Sequence, residues 1–141
     1  MLMLDLFEDM HRQSDALLIV LDRQVQCEHW EAAGVTSARF RQCMRAHFEA
    51  EEEDLFPSFE QMPGVSYASV ALMRDEHDYM NSLIDMMIGA MAARDVHGYL
   101  EQSLLLRTLL NEHGRKEDFL LQRLAALREM NAQIVDISPE M

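Results

Sequence analysis

Residues that break helices are scarce in this chain, with three prolines and five glycines among 141 residues, and no run of alternating β-branched residues marks a strand. That scarcity argues against a sheet-rich fold and, with Leu, Ala, Met, Glu and Arg dominant, predicts an all-α domain. Cysteine is scarce as well. Cys27 and Cys43 are too few for a disulfide framework or a cysteine-rich zinc site, and they read as ordinary helix-packing residues. Positive charge is in the minority: 12 Lys and Arg stand against 25 Asp and Glu, a net charge of −13. Such a surface repels phosphate backbones and anionic bilayers, which argues against nucleic-acid and membrane partners, and it concentrates cations. No apolar stretch reaches the roughly 20 residues needed to span a bilayer, and the first residues lack the basic start of a secretory signal. The expectation is a soluble, cytoplasmic protein.

Against that background one pattern is written twice. His11 is followed by His47 and Glu51, and His77 is followed by His113 and Glu117, with 36 residues between the histidines of each half and 66 between the halves. Each His-x-x-x-Glu pair sets an imidazole and a carboxylate one helical turn apart on one face, the spacing at which a helix offers two ligands to one metal centre.

Apolar periodicity predicts four helices. The first covers about residues 4 to 27. A loop around Glu31 to Val35 follows, and Thr36 or Ser37 caps a second helix that runs to about Leu55. Phe56-Pro57 and Met62-Pro63-Gly64 mark a longer connection. The third helix runs from about Ser66 to Arg94 and the fourth from about Val96 to Met130, which makes residues 1–130 one bundle and residues 131–141 a C-terminal tail. Short hairpin loops make sequential helices antiparallel, so the predicted fold is an up-down-up-down four-helix bundle. His11 lies roughly 24 Å from its hairpin at 1.5 Å per residue, and the other five motif residues fall at matching depths. All six lie on apolar stripes.

Four imidazoles and two carboxylates unpaired in a core would cost several kcal/mol per ionised group in desolvation, and metal coordination removes that cost. Mixed nitrogen and oxygen donors without thiolate suit iron or manganese better than structural zinc. Six ligands exceed one zinc ion. They suit two octahedral ions bridged by both carboxylates, with about two coordination positions left for water, O2, peroxide or NO.

The segments His47-Phe-Glu-Ala-Glu51-Glu-Glu-Asp-Leu-Phe-Pro57, Glu76-His77 and Glu112-His113-Gly-Arg-Lys-Glu117, with His11 upstream, resemble the hemerythrin-like, or HHE cation-binding, domain over nearly the whole chain. The resemblance implies two non-haem iron ions with a bridging oxo or hydroxo group, manganese or zinc being the alternatives, held by His11, His47, Glu51, His77, His113 and Glu117. It implies a protein that binds or reacts with O2, NO or peroxide in sensing, detoxification or iron handling. Iron donation in iron–sulfur cluster repair and a metal-ordered regulatory interaction module are the alternatives. Its partners would be metal ions and a small diatomic ligand or peroxide, with room for a protein partner or homo-oligomer. Oxygen carriers of this family add a histidine four residues before the third-helix histidine, where this chain has Met73. A thioether is a poor ligand for hard iron ions, so Met73 reads as core.

Other residues attract simpler readings. His29 and His97 fall near hairpin turns and read as surface. Cys43, one turn before His47, reads as a small buried hydrophobe, and Tyr79 as a helix-packing aromatic. Glu52, Glu53 and Asp54 read as a solvated face. Glu76 and Glu112 flank ligand histidines, but adjacent side chains on a helix point about 100° apart, which weakens them as partners of those neighbours.

Overall fold

The computed structural model describes residues 3–137. Four long helices, α1 (Met3–Gln26), α2 (Trp30–Ala50), α4 (Tyr67–Ala92) and α5 (Val96–Ile137), alternate in direction, and a short α3 (Phe56–Glu60) lies between the second and third of them. No strand occurs among the described residues. Helix α1 packs on α2 and α5, and α4 packs on α5 and α2, which closes the square of an antiparallel four-helix bundle. None of the described helices is long and apolar enough to cross a membrane.

The first hairpin is tighter than the sequence suggests. The chain reverses over Cys27, Glu28 and His29, with Glu28 at φ 55°, and α2 begins at Trp30 rather than at Thr36 or Ser37. Gly34 continues the helix because it faces open space. Thr36 and Ser37 are buried in its second turn, and Ser37 donates back to the Gly34 carbonyl at 2.9 Å instead of capping. The second hairpin uses Arg94 at φ 56°, and the Asp95 side chain accepts from the Gly98 N–H at 2.9 Å, capping α5. Ser66 caps α4 by accepting from Ser69 N–H at 3.1 Å.

Between α2 and α3, residues Glu51–Leu55 form a π-helical turn in which the Phe56 N–H reaches the Glu51 carbonyl five residues back. Pro57 has no N–H to continue the α-pattern, so the ladder shifts before it and the helix restarts at Phe56. At the far end, α5 runs past Met130 to Ile137, into the stretch expected as a tail. Residues 131–133 are exposed there, and Ser138-Pro139 lie outside the described residues.

The core is divided. One apolar cluster, around Leu18, Val25, Phe40, Met44, Met80, Tyr99 and Leu106, fills the end with the two hairpins. A second, around Phe7, Leu55, Phe56, Phe59, Val70, Met73, Leu121 and Leu124, fills the end closed by α3. Between the two along every long helix lie the motif residues, at positions 11, 47, 51, 77, 113 and 117. Tyr79, expected to pack between helices, is 53 % exposed, because it falls outside the stripe of Val70, Met73, His77, Met80 and Ile84. Met86 and Cys27 are exposed as well.

Candidate metal centre

Each long helix brings one histidine to the same layer, and α5 and the junction of α2 with the π-turn add the glutamates. His47, Glu51, His77, His113 and Glu117 are buried, the two glutamates completely, whereas His11 is 22 % exposed. The four Nε2 atoms face inward. His77 Nε2 lies 2.5 Å from Glu51 Oε2 and 3.2 Å from His113 Nε2, and His113 Nε2 lies 3.3 Å from the same oxygen. On the other side, His47 Nε2 is 2.8 Å from Glu51 Oε1, and His11 Nε2 is 3.3 Å from Glu117 Oε1. Glu117 Oε1 also stands 3.4 Å from His113 Nε2.

These contacts do not exhaust the donors and acceptors. Although close, His47 Nε2 and Glu51 Oε1 are out of hydrogen-bond alignment, and both remain unpartnered, as do both carboxylate oxygens of Glu117. Buried polar atoms normally find partners, so several orphans in one layer require another explanation. Their lone pairs converge on shared points instead of on each other. Two sets form, His11 with His47, Glu51 and Glu117, and Glu51 with His77 and His113, each with ligand atoms within 4.8 Å of one another. Metal–ligand bonds of about 2.0–2.2 Å separate neighbouring ligand atoms by about 3 Å and opposite ones by just over 4 Å, so both sets fit the donor shell of a cation. Glu51 belongs to both.

The charges respond to this crowding. Burial disfavours the Glu51 carboxylate, but the polar groups of Glu117, His113, His47 and His77 crowded around it outweigh burial and hold Glu51 well below the usual carboxylate range. Glu117 goes the other way: burial and the neighbouring Glu51 raise it despite His11 and His113. His113 is pushed up to about 10, because Glu117 and Glu51 outweigh its burial. His11 is raised for the same reason, chiefly by Glu117.

Two further carboxylates reach the cluster from outside. His77 Nδ1 donates to Glu52 Oε1 at 2.9 Å, and His113 Nδ1 donates to Glu76 Oε1 at 3.0 Å, while the other Glu76 oxygen accepts from Lys116 Nζ at 2.8 Å. Glu52 is exposed, as its place on a solvated face predicts, but its carboxylate also reaches His77. The 100° between adjacent residues that weakens Glu76 as a partner of His77 holds, and it sends Glu76 to a different histidine. Glu76 cannot serve its neighbour His77 and is instead aimed across the groove at His113, just as Glu52, beside Glu51, is aimed at His77. Glu112 is exposed. Phe48 stacks on the His77 ring with centroids 4.0 Å apart, and Phe56 flanks it at 5.2 Å. Cys43 is half-buried, its Sγ 3.5 Å from Ser14 Oγ, and His29 and His97 are exposed beside the hairpins.

A cleft of about 350 Å³ between α1 and α5 connects this layer with solvent; His11, His47, His113 and Glu117 line it together with Ser14, Asp15, Asn111 and Asp118. It is large enough for several waters or a small ligand.

The family model described as the hemerythrin HHE cation binding domain matches residues 2–125. Neither the curated proteins nor the solved structures gave a match.

Proposed function

Because the chain belongs to the hemerythrin HHE cation-binding domain family, we propose that it is a non-haem di-iron protein whose centre binds or reacts with O2, NO or peroxide in sensing, detoxification or iron handling. The observation that carries the reading is the pair of overlapping donor sets that share Glu51. In it, His11, His47 and Glu117 would hold one iron and His77 and His113 the other, with Glu51 available to both. Two irons joined by an oxo or hydroxo bridge supply a redox-active pair with open coordination positions.

The rest follows from the residues of the chain. Imidazole and carboxylate in this ratio leave the two positions incompletely filled, as chemistry on a small ligand requires, and Met73, buried against the second apolar cluster, adds no nitrogen donor. Phe48 and Phe56 cover the His77 ring and keep water from its faces. The α1–α5 cleft gives a diatomic molecule or peroxide a path to His11 and Glu117. The partly exposed His11 also favours a second reading, donation of iron to an acceptor protein.

The test is metal content per chain of anaerobically purified protein, joined to visible spectra before and after oxidation. Two irons per chain, with an absorption that appears on oxidation and changes with O2, NO or peroxide and is lost in His77→Ala, are the expected result. A folded protein that carries no metal, or one zinc, would overturn the reading.

A further inference from the structure

The two donor sets differ in what stands behind them. His77 and His113 each donate their outer N–H to a carboxylate, Glu52 and Glu76, and Lys116 holds Glu76 in place. His47 Nδ1 is buried and has no such partner, and His11 opens on the α1–α5 cleft. Access differs too. His77 is enclosed between Phe48 and Phe56 and lies outside the cleft, which is lined by both histidines of the other set, His11 and His47, and on this side by His113 alone.

A carboxylate behind a ligand imidazole fixes its tautomer and ring angle and makes the metal-facing nitrogen more basic. A ligand held in this way rebinds before its metal can leave. Glu117 adds a fourth donor to the His11–His47 set, but its Oε1 stands 3.3 Å from His11 Nε2 and 3.4 Å from His113 Nε2, so it does not stand behind either ring as Glu52 and Glu76 do.

We infer that the two metal positions have unequal lifetimes, with Glu52 and Glu76 as the positioning residues that retain the metal at His77 and His113, while the metal at His11 and His47 exchanges through the α1–α5 cleft. The inference rests on the two-metal reading above. It makes one position a permanent anchor and the other the place where a metal is delivered or withdrawn.

The experiment loads the full chain with two equivalents of Co2+ and follows metal release to an excess of a colorimetric chelator. The expected course is biphasic, one metal per chain leaving in each phase. Glu52→Gln and Glu76→Gln should accelerate the slow phase about 10- to 100-fold, the usual effect of losing a carboxylate behind a metal-bound histidine, and leave the fast phase unchanged. Gln keeps an oxygen that accepts from Nδ1, so the fold is preserved while the charge is lost, and the unchanged fast phase serves as the internal control for folding. Release of both metals in a single phase, or variants that accelerate the fast phase, would overturn the inference and leave the two-metal reading intact. A chain that takes up fewer than two Co2+ would overturn both.

Discussion

Glu51 is the residue on which the two-metal reading depends most, and Glu51→Gln tests it against His11→Ala. Glu51 stands in both donor sets, with one oxygen 2.5 Å from His77 Nε2 and the other 2.8 Å from His47 Nε2, whereas His11 stands in one. A bound metal at 100 times its dissociation constant stabilises the folded state by about 2.7 kcal/mol. For a chain of this length, 1 kcal/mol moves the melting temperature by roughly 3 to 4 °C, so each metal is worth about 10 °C. Chelation should lower the melting temperature of the parent protein by about 20 °C, that of His11→Ala by about 10 °C, and that of Glu51→Gln by close to zero, on the same figures. Each protein is compared with its own chelated form by differential scanning calorimetry, so the intrinsic cost of each substitution cancels. If Glu51→Gln kept the full chelation shift, Glu51 would not join the two positions and the bridging role would be wrong.

Two more outcomes follow from the same geometry. In the metal-free protein His113 is raised from 6.5 to about 10, so its contribution to stability is complete below pH 6.5 and is lost as pH rises towards about 10. A metal must displace that proton. Loading at pH 7 should therefore release about one proton per chain from His113 and tighten as pH rises; a pH-stat titration without proton release would contradict this. Away from the metal layer, Asp22 on α1 accepts from Tyr99 Oη at 2.8 Å and Ser103 Oγ at 2.7 Å and pairs with Arg107, all on α5. Asp22→Ala orphans two donors on residues that are 1 % and 2 % exposed and should cost about 3 kcal/mol, read as a lower urea midpoint with unchanged slope; a loss under about 1 kcal/mol would show that Ser103 and Tyr99 find other partners.

Much of this architecture is legible in the sequence because the signals are periodic. The alternation of three- and four-residue steps that places Val70, Met73, His77, Met80 and Ile84 on one stripe is the same signal that buries them. The matched 36-residue spacings bring four histidines to one layer because helices rise by a fixed amount per residue. Less legible are the features that depend on a partner helix. Glu52 and Glu76 look like solvated charges until the neighbouring helix supplies His77 and His113. The first hairpin is misjudged because Gly34 breaks a helix by propensity alone, yet on an open face of the bundle its cost is about 1 kcal/mol, which the packing of Trp30 and Ala33 offsets. The π-turn at Glu51–Leu55 is foreshadowed only by Pro57, whose missing N–H announces an interruption without fixing where it falls.

The layer of imidazoles and carboxylates also interrupts the oil-like continuity on which cooperative folding depends. The hairpin end and the α3 end each bury their own apolar cluster, and without a cation they are joined mainly by the continuity of the helices. Such a molecule can open at one end while the other stays intact, since local unfolding follows the boundaries of packed clusters. A cation held from all four helices welds the halves into one unit. Loss of metal would then be felt as a change in breathing at the α3 end, whose Phe7 and Phe56 pack against His47 and His77, and a partner that recognised that end would read the metal without touching it.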